Sequence, residues 1–141
     1  MIPVNFVAII GATIVSMILG FLWYGPLFGK EWMRLSGLTQ EHMAAAKKNG
    51  GMTRSYVMMM IGTLVTNYVL AHAVIFASSY LMVYGASAGL MVGFWNWLGL
   101  VAPVTMGVVL WEGKPWKLWC ITSGYYLVSL AVGGVILSVW R

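Results

Sequence analysis

The sequence predicts an all-α fold, an integral-membrane four-helix bundle with a short interfacial helical segment between its first and second long helices. Three observations predict it. Apolar residues make up 61% of the 141 residues and charged residues only 8%, whereas a soluble domain carries about 25% charged residues. Four long apolar stretches recur along the chain. The Lys and Arg side chains gather between and beyond those stretches instead of being spread over a surface. About four spans and their loops exhaust this length, so a single membrane domain covering residues 1–141 is expected, without a soluble catalytic part.

Each element has a local reason. Residues 57–77 contain no Asp, Glu, Lys or Arg, enough for a helix across a hydrocarbon core of about 30 Å, and predict the second span over 55–78. The first span is predicted over 4–23, closing on the interfacial pair Trp23 and Tyr24 and stopped by Gly25 and Pro26. This start resembles a signal peptide in hydropathy only. It lacks a basic leader and runs into aromatic residues instead of a small-residue cleavage site, so it is expected to be retained. Thr13, Ser16 and Gly20 share one face, suited to helix contact.

An amphipathic segment over 29–50 follows. Its first part, GKEWMRLSGL, is anchored by Trp32 and Leu35. Its second part has Thr39 as cap, Glu41 in the first turn, Lys47 and Lys48 in the last, and Gly50 and Gly51 after it, in the sense the helix dipole favours. His42 belongs to its solvated surface.

The third span is predicted over 86–111. It opens on Gly85, Gly89 and Gly93, a small-xxx-small row that Trp97 continues and against which another helix can approach closely. Pro103 must kink or loosen this helix and free a carbonyl. The fourth span is predicted over 117–140, with Arg141 just outside it. Between the two lies WEGKPWKLW, where Glu112 is expected to pair with Lys114 among Trp111, Trp116 and Trp119.

Orientation follows from the cations. The first connection carries Lys30, Arg34, Lys47, Lys48 and Arg54, the third carries Lys114 and Lys117, and the second carries none. The first and third connections are therefore expected to be cytoplasmic and both termini outside. WYGPLFGKEW and WEGKPWKLW both place Trp, Gly, Pro, Lys and Trp at the cytoplasmic boundary, as two duplicated helical hairpins would, although any such boundary collects these residue types and that account is favoured.

Chemistry is sparse. There is no Asp, no carboxylate within a span, no nucleophile with a His and carboxylate near it in sequence, and no phosphate-cradling loop, so hydrolysis and phosphoryl transfer are not expected. The lone Cys120 excludes an intrachain disulfide and a cysteine metal site, and the eleven methionines show no metal-ligand spacing. No cofactor and no metal are expected. Asn67 and Asn96, with Thr13, Ser16 and Ser129 at comparable depth and His72 a little further out, define a candidate polar layer. It serves either as interhelical glue or as the lining of a small cavity for a polar solute. His72 lies at the depth of Gly133 and Gly134. It is either a structural histidine bonded to a backbone carbonyl or a proton- or ligand-binding group.

Together WYGPLFGKEW, NYVLAHAV, GFWNWLGLVAPVTMGVVLWEGKPWKLW and GYYLVSL resemble the small bacterial four-helix membrane proteins grouped as domain of unknown function 1761. The resemblance covers nearly the whole chain. It implies a four-helix membrane fold and no known activity. The positions matching its recurrent pattern are Trp23, Tyr24, Pro26, Gly29, Trp32, His72, Pro103, Glu112, Trp116, Trp119, Tyr125 and Tyr126, candidates without assigned chemistry.

With that resemblance, the function expected is that of a non-enzymatic multi-pass protein of a bacterial inner membrane. It would act through helix packing, as a homo-oligomer or as an accessory subunit, with the Gly85, Gly89, Gly93 and Trp97 face against a partner helix. The alternative is an oligomeric transporter or channel lined by Asn67, His72 and Asn96. Expected partners are membrane lipids and membrane subunits, not nucleic acid.

Overall fold

The computed structural model describes residues 3–140; the expectation for Arg141 lies outside the described residues. Four helices are long and apolar enough to cross a membrane: α1 (Phe6–Leu27), α4 (Gly51–Leu81), α5 (Gly85–Leu110) and α6 (Trp116–Val139). Between α1 and α4 lie two short helices, α2 (Gly29–Ser36) and α3 (Gln40–Lys48). No strand occurs among the described residues.

The ends depart from expectation for local reasons. α1 starts at Phe6, later than Val4, because the Asn5 side chain accepts from Val7 N and Ala8 N at 3.0 and 3.1 Å and fixes the N-cap. Gly25 and Pro26 do not stop it. Pro26 has no N–H to donate, so the helix widens into a π turn over Trp23–Leu27, closed by Phe28 N donating to Trp23 O at 2.9 Å. Gly29 must follow, because a Cβ there would meet the Tyr24 carbonyl at 2.5 Å. Gly37, at φ 79°, ends α2 in the left-handed region. Thr39 caps α3 as expected, its Oγ1 accepting from His42 N while Thr39 N donates to His42 Nδ1. His42 is thus exposed and also part of the cap.

α4 is longer than the apolar run that announces it. Its 31 residues measure about 46 Å at 1.5 Å each, more than the hydrocarbon core, so its ends reach into the headgroup layers. α5 is continuous but carries a π turn over Trp97–Val101 just ahead of Pro103, the loosening that proline demands.

α6 is the hub, touching α1, α4 and α5, and α4 in turn packs on α1 and on the Gly85–Asn96 half of α5. The core where they meet is built of small and branched residues: Ala8, Ile9 and Ala12 on α1, Leu70, Ala71 and Val74 on α4, Val92 on α5, and Leu130 and Leu137 on α6. At one end of the bundle Lys114 Nζ donates to Ser36 O at 3.1 Å and Lys117 Nζ meets Glu31 Oε1 at 2.9 Å. These contacts place the first and third connections at the same end.

Candidate functional site

The glycine row is used within the chain. A Cβ on Gly89 would overlap the Gly134 carbonyl of α6, one on Gly93 would overlap the Leu130 carbonyl, and Gly134 meets Gly89 in the same way. This backbone contact is the closest helix pairing in the bundle, and Trp97 extends it by donating Nε1 to Ser123 O at 2.8 Å and to Ser123 Oγ at 3.1 Å. Expectation is corrected here: the face meets α6 of its own chain and is not free for a partner. Gly85 does not belong to the row. It sits at φ 73° with no neighbouring atom within 4 Å of where a Cβ would stand, and its carbonyl accepts from Ser138 Oγ at 2.7 Å.

The polar residues of the spans divide into three places. On α4, Asn67 is buried, donating Nδ2 to Thr13 Oγ1 of α1 at 3.4 Å and to Thr63 O at 3.1 Å; Thr13 Oγ1 donates on to Ile9 O at 2.8 Å. Its other face lies on α6, where a Cβ on Gly133 would stand 2.8 Å from Asn67 Oδ1. Asn67 therefore ties three spans at one level. Ser129 joins it at a cavity of about 30 Å³ between α4 and α6, whose lining includes Thr63, Tyr125 and Tyr126 and whose size suits one water molecule.

Asn96 is elsewhere. Its Nδ2 donates to Val92 O at 2.8 Å, one turn back in its own helix, so the expected layer does not bring Asn67 and Asn96 together. His72 is apart from both. Its Nδ1–H donates to Tyr68 O at 2.9 Å and its ring lies 4.7 Å from that of Tyr68. It does not occupy the space beside Gly133 and Gly134, because Asn67, Leu70 and Gly89 fill it. Of the two readings, the backbone-bonded histidine is the one the geometry displays.

The boundary residues form the most elaborate assembly. Tyr24 packs on Trp32 at 5.3 Å and on Tyr125 at 5.4 Å, and Tyr126 stands edge-on to Tyr125 at 5.3 Å. Trp23 Nε1 donates to Ile121 O at 2.9 Å, and Tyr125 OH donates to Ser16 O at 3.1 Å. Pro26 belongs to this group only by shaping the turn that carries Trp23 and Tyr24. Trp116 and Trp119 make a second pair at 5.8 Å, with Trp119 Nε1 donating to Thr105 Oγ1 of α5 at 3.0 Å. The Trp23 and Trp119 N–H groups, each bonded to a neighbouring helix, lock a span boundary while their rings cover apolar surface.

Glu112 does not pair with Lys114. It is exposed and has no ion pair among the described residues, because the left-handed turn at Gly113 leads Lys114 away to the Ser36 carbonyl. The charge pairing falls instead on Glu31, which composition and spacing did not single out. Arg34 grips both its oxygens and Lys117 takes one, and these bonds, that from Arg34 foremost, hold the Glu31 carboxyl down at about 2. Only the i,i+3 spacing of Glu31 and Arg34 was visible in sequence. A second cavity of about 210 Å³ lies at the opposite end beside Asn5, Ala8, Ala71 and Trp140; small alanines facing one another open it, which no local pattern announces. Among the described residues no three His, Cys, Asp or Glu side chains come together.

Four long apolar helices around a shared core, tied by a buried asparagine and bounded by hydrogen-bonded aromatic residues, define a multi-pass α-helical membrane protein. The chain belongs to the family described as "Protein of unknown function (DUF1761)", whose profile matches residues 7–138. No curated protein and no solved structure gives a match.

Proposed function

We propose that the chain is a non-enzymatic protein of a bacterial inner membrane, with both termini outside, that works by lateral association as a homo-oligomer or as an accessory subunit of a membrane complex. The observation that carries this reading is the outer face of α5 around Gly99 and Pro103. α5 is the least buried of the four spans, and Leu98, Gly99, Leu100, Pro103 and Val104 are all exposed on it. Pro103 has no N–H, so a carbonyl in the turn before it lacks its usual donor, and hydrocarbon offers none. Among the described residues nothing beyond its own turn of helix stands within 4 Å of a Cβ placed on Gly99, which leaves room for another helix to approach that turn.

Disulfide trapping tests this. In a Cys120→Ser background, Leu98→Cys and Leu100→Cys are oxidised in native membranes and compared with Leu64→Cys on α4, also exposed. Cross-links at α5 to a second copy or to one other membrane chain are the expected result, and they should disappear with Gly99→Leu. Monomer at every position, or equal trapping at α4 and α5, overturns the proposal.

A further inference from the structure

Among the described residues, Lys30, Lys47, Lys48 and Arg54 at the α2–α3 end have no acidic partner. All four are exposed, whereas Arg34 and Lys117 converge on Glu31 and Lys114 is held by the Ser36 carbonyl. The same end exposes Leu27, Phe28 and Leu38. Exposed apolar side chains beside unpaired cations are poorly matched to water alone and poorly matched to hydrocarbon alone; both are satisfied where headgroups meet acyl chains.

The position of the platform supplies that setting. α2 begins two residues after the α1 span ends at Leu27, and Arg54 lies in the first turn of the α4 span. Lys30, Lys47 and Lys48 thus lie on the short helices that join α1 to α4, and Arg54 on the first turn of α4, so all four flank the ends of two apolar spans, the level at which headgroups meet a membrane protein. Arg54 leads into α4, Lys47 and Lys48 close α3, and Lys30 opens α2, so the cations stand at the ends of these helices, with Glu41 at the opposite end of α3 from Lys47 and Lys48.

We propose that the α2–α3 platform is a binding surface for anionic phospholipid headgroups, with Lys30, Lys47, Lys48 and Arg54 taking the phosphates and Leu27, Phe28 and Leu38 lying against the upper acyl chains. Complementarity of charge favours an anionic over a zwitterionic lipid, and the apolar residues favour a lipid over a soluble polyanion. This lipid surface depends on the four spans and not on any association through α5.

Sidedness alone also collects cations at one boundary, so the test uses a bilayer that has no sides to choose between. The full chain is placed in nanodiscs of equal parts phosphatidylglycerol and phosphatidylcholine, and the lipids it retains on release are counted by native mass spectrometry at low and high salt. The expected result is phosphatidylglycerol enriched on the order of fivefold, the effect of about one interfacial cation, and falling with salt. The variant K30Q/K47Q/K48Q/R54Q should retain the two lipids at their bulk ratio with an unchanged melting curve. Lipids retained at the bulk ratio by the unmodified chain, enrichment indifferent to salt, or enrichment that survives in the folded variant overturns the proposal. If the variant does not fold, the salt dependence of the unmodified chain decides alone.

Discussion

At Asn67 a single amide does what in a soluble protein a whole network would do. Hydrocarbon gives a polar group no solvent, so the amide must find its partners in neighbouring helices, and it finds them on α1 and on its own α4 backbone while resting against Gly133 of α6. The glycine is there because anything larger collides with that amide. Gly133→Ala is expected to destabilise the fold by about 1–3 kcal/mol, as overpacked sites do, measured by thermal unfolding in mild detergent. Adding Asn67→Ala should recover part of the loss, since the two residues are in contact and their effects are not additive. Additive losses in the double variant would show that the two do not meet. The asparagine itself was legible in sequence as a polar group that had to turn inward. Thr13, 54 residues away, was legible as a member of the same layer, but not as the member that Asn67 bonds in preference to Asn96, because no local pattern records which helix stands opposite.

Among the elements, the α5–α6 pair fixes the bundle. Glycines at Gly89, Gly93 and Gly134 let two backbones come into contact, so dispersion acts over their length without side chains between them. Gly89→Leu or Gly93→Leu is expected to abolish the folded monomer itself, seen as loss of a monodisperse peak and of the melting transition, not merely loss of assembly. Gly62→Leu on α4 is the control; among the described residues no atom beyond its own turn of helix lies within 4 Å of a Cβ there, and the variant should melt as the unmodified chain does. The four spans were legible from charge-free length, and Thr39 marked the start of α3 by its ordinary cap chemistry, whereas the left-handed stop of α2 at Gly37 went unread. The π turns at Trp23–Leu27 and Trp97–Val101 were half legible. Proline announces that a helix must change, but whether it ends or widens is settled by what packs around it, here Trp23 on Ile121 and Trp97 on Ser123.

For the molecule as a whole, the ion pairs at one end strap the first connection to α6. Glu31 carries the pH dependence. Its carboxyl titrates near 4.5 when free and at about 2 in the fold, so the folded state binds its proton less readily. Its contribution is complete above pH 4.5, diminishes as the pH falls below that value, and is gone once the pH passes below about 2. The exposed position of the pair keeps the effect modest. Melting temperature followed from pH 6 to pH 2 should therefore drop slightly more for the unmodified chain than for Glu31→Gln, and Lys117→Gln should narrow that difference. Identical curves for all three would remove the strap from the account.

The sequence by itself determined that this chain lives in a membrane, how many times it crosses, where its helices meet water, and which few side chains must avoid lipid. These properties depend on composition and periodicity within one segment, where transfer from water to hydrocarbon is summed residue by residue. Only the tertiary structure decided that the glycine row closes on α6 of the same chain, that Asn67 seeks Thr13 and not Asn96, and that Glu31, not Glu112, holds the boundary cations. In a bilayer every helix is already buried in an apolar medium, so hydropathy cannot choose its neighbours. Close backbone contact and a handful of hydrogen bonds make that choice, and both exist only once the helices are side by side.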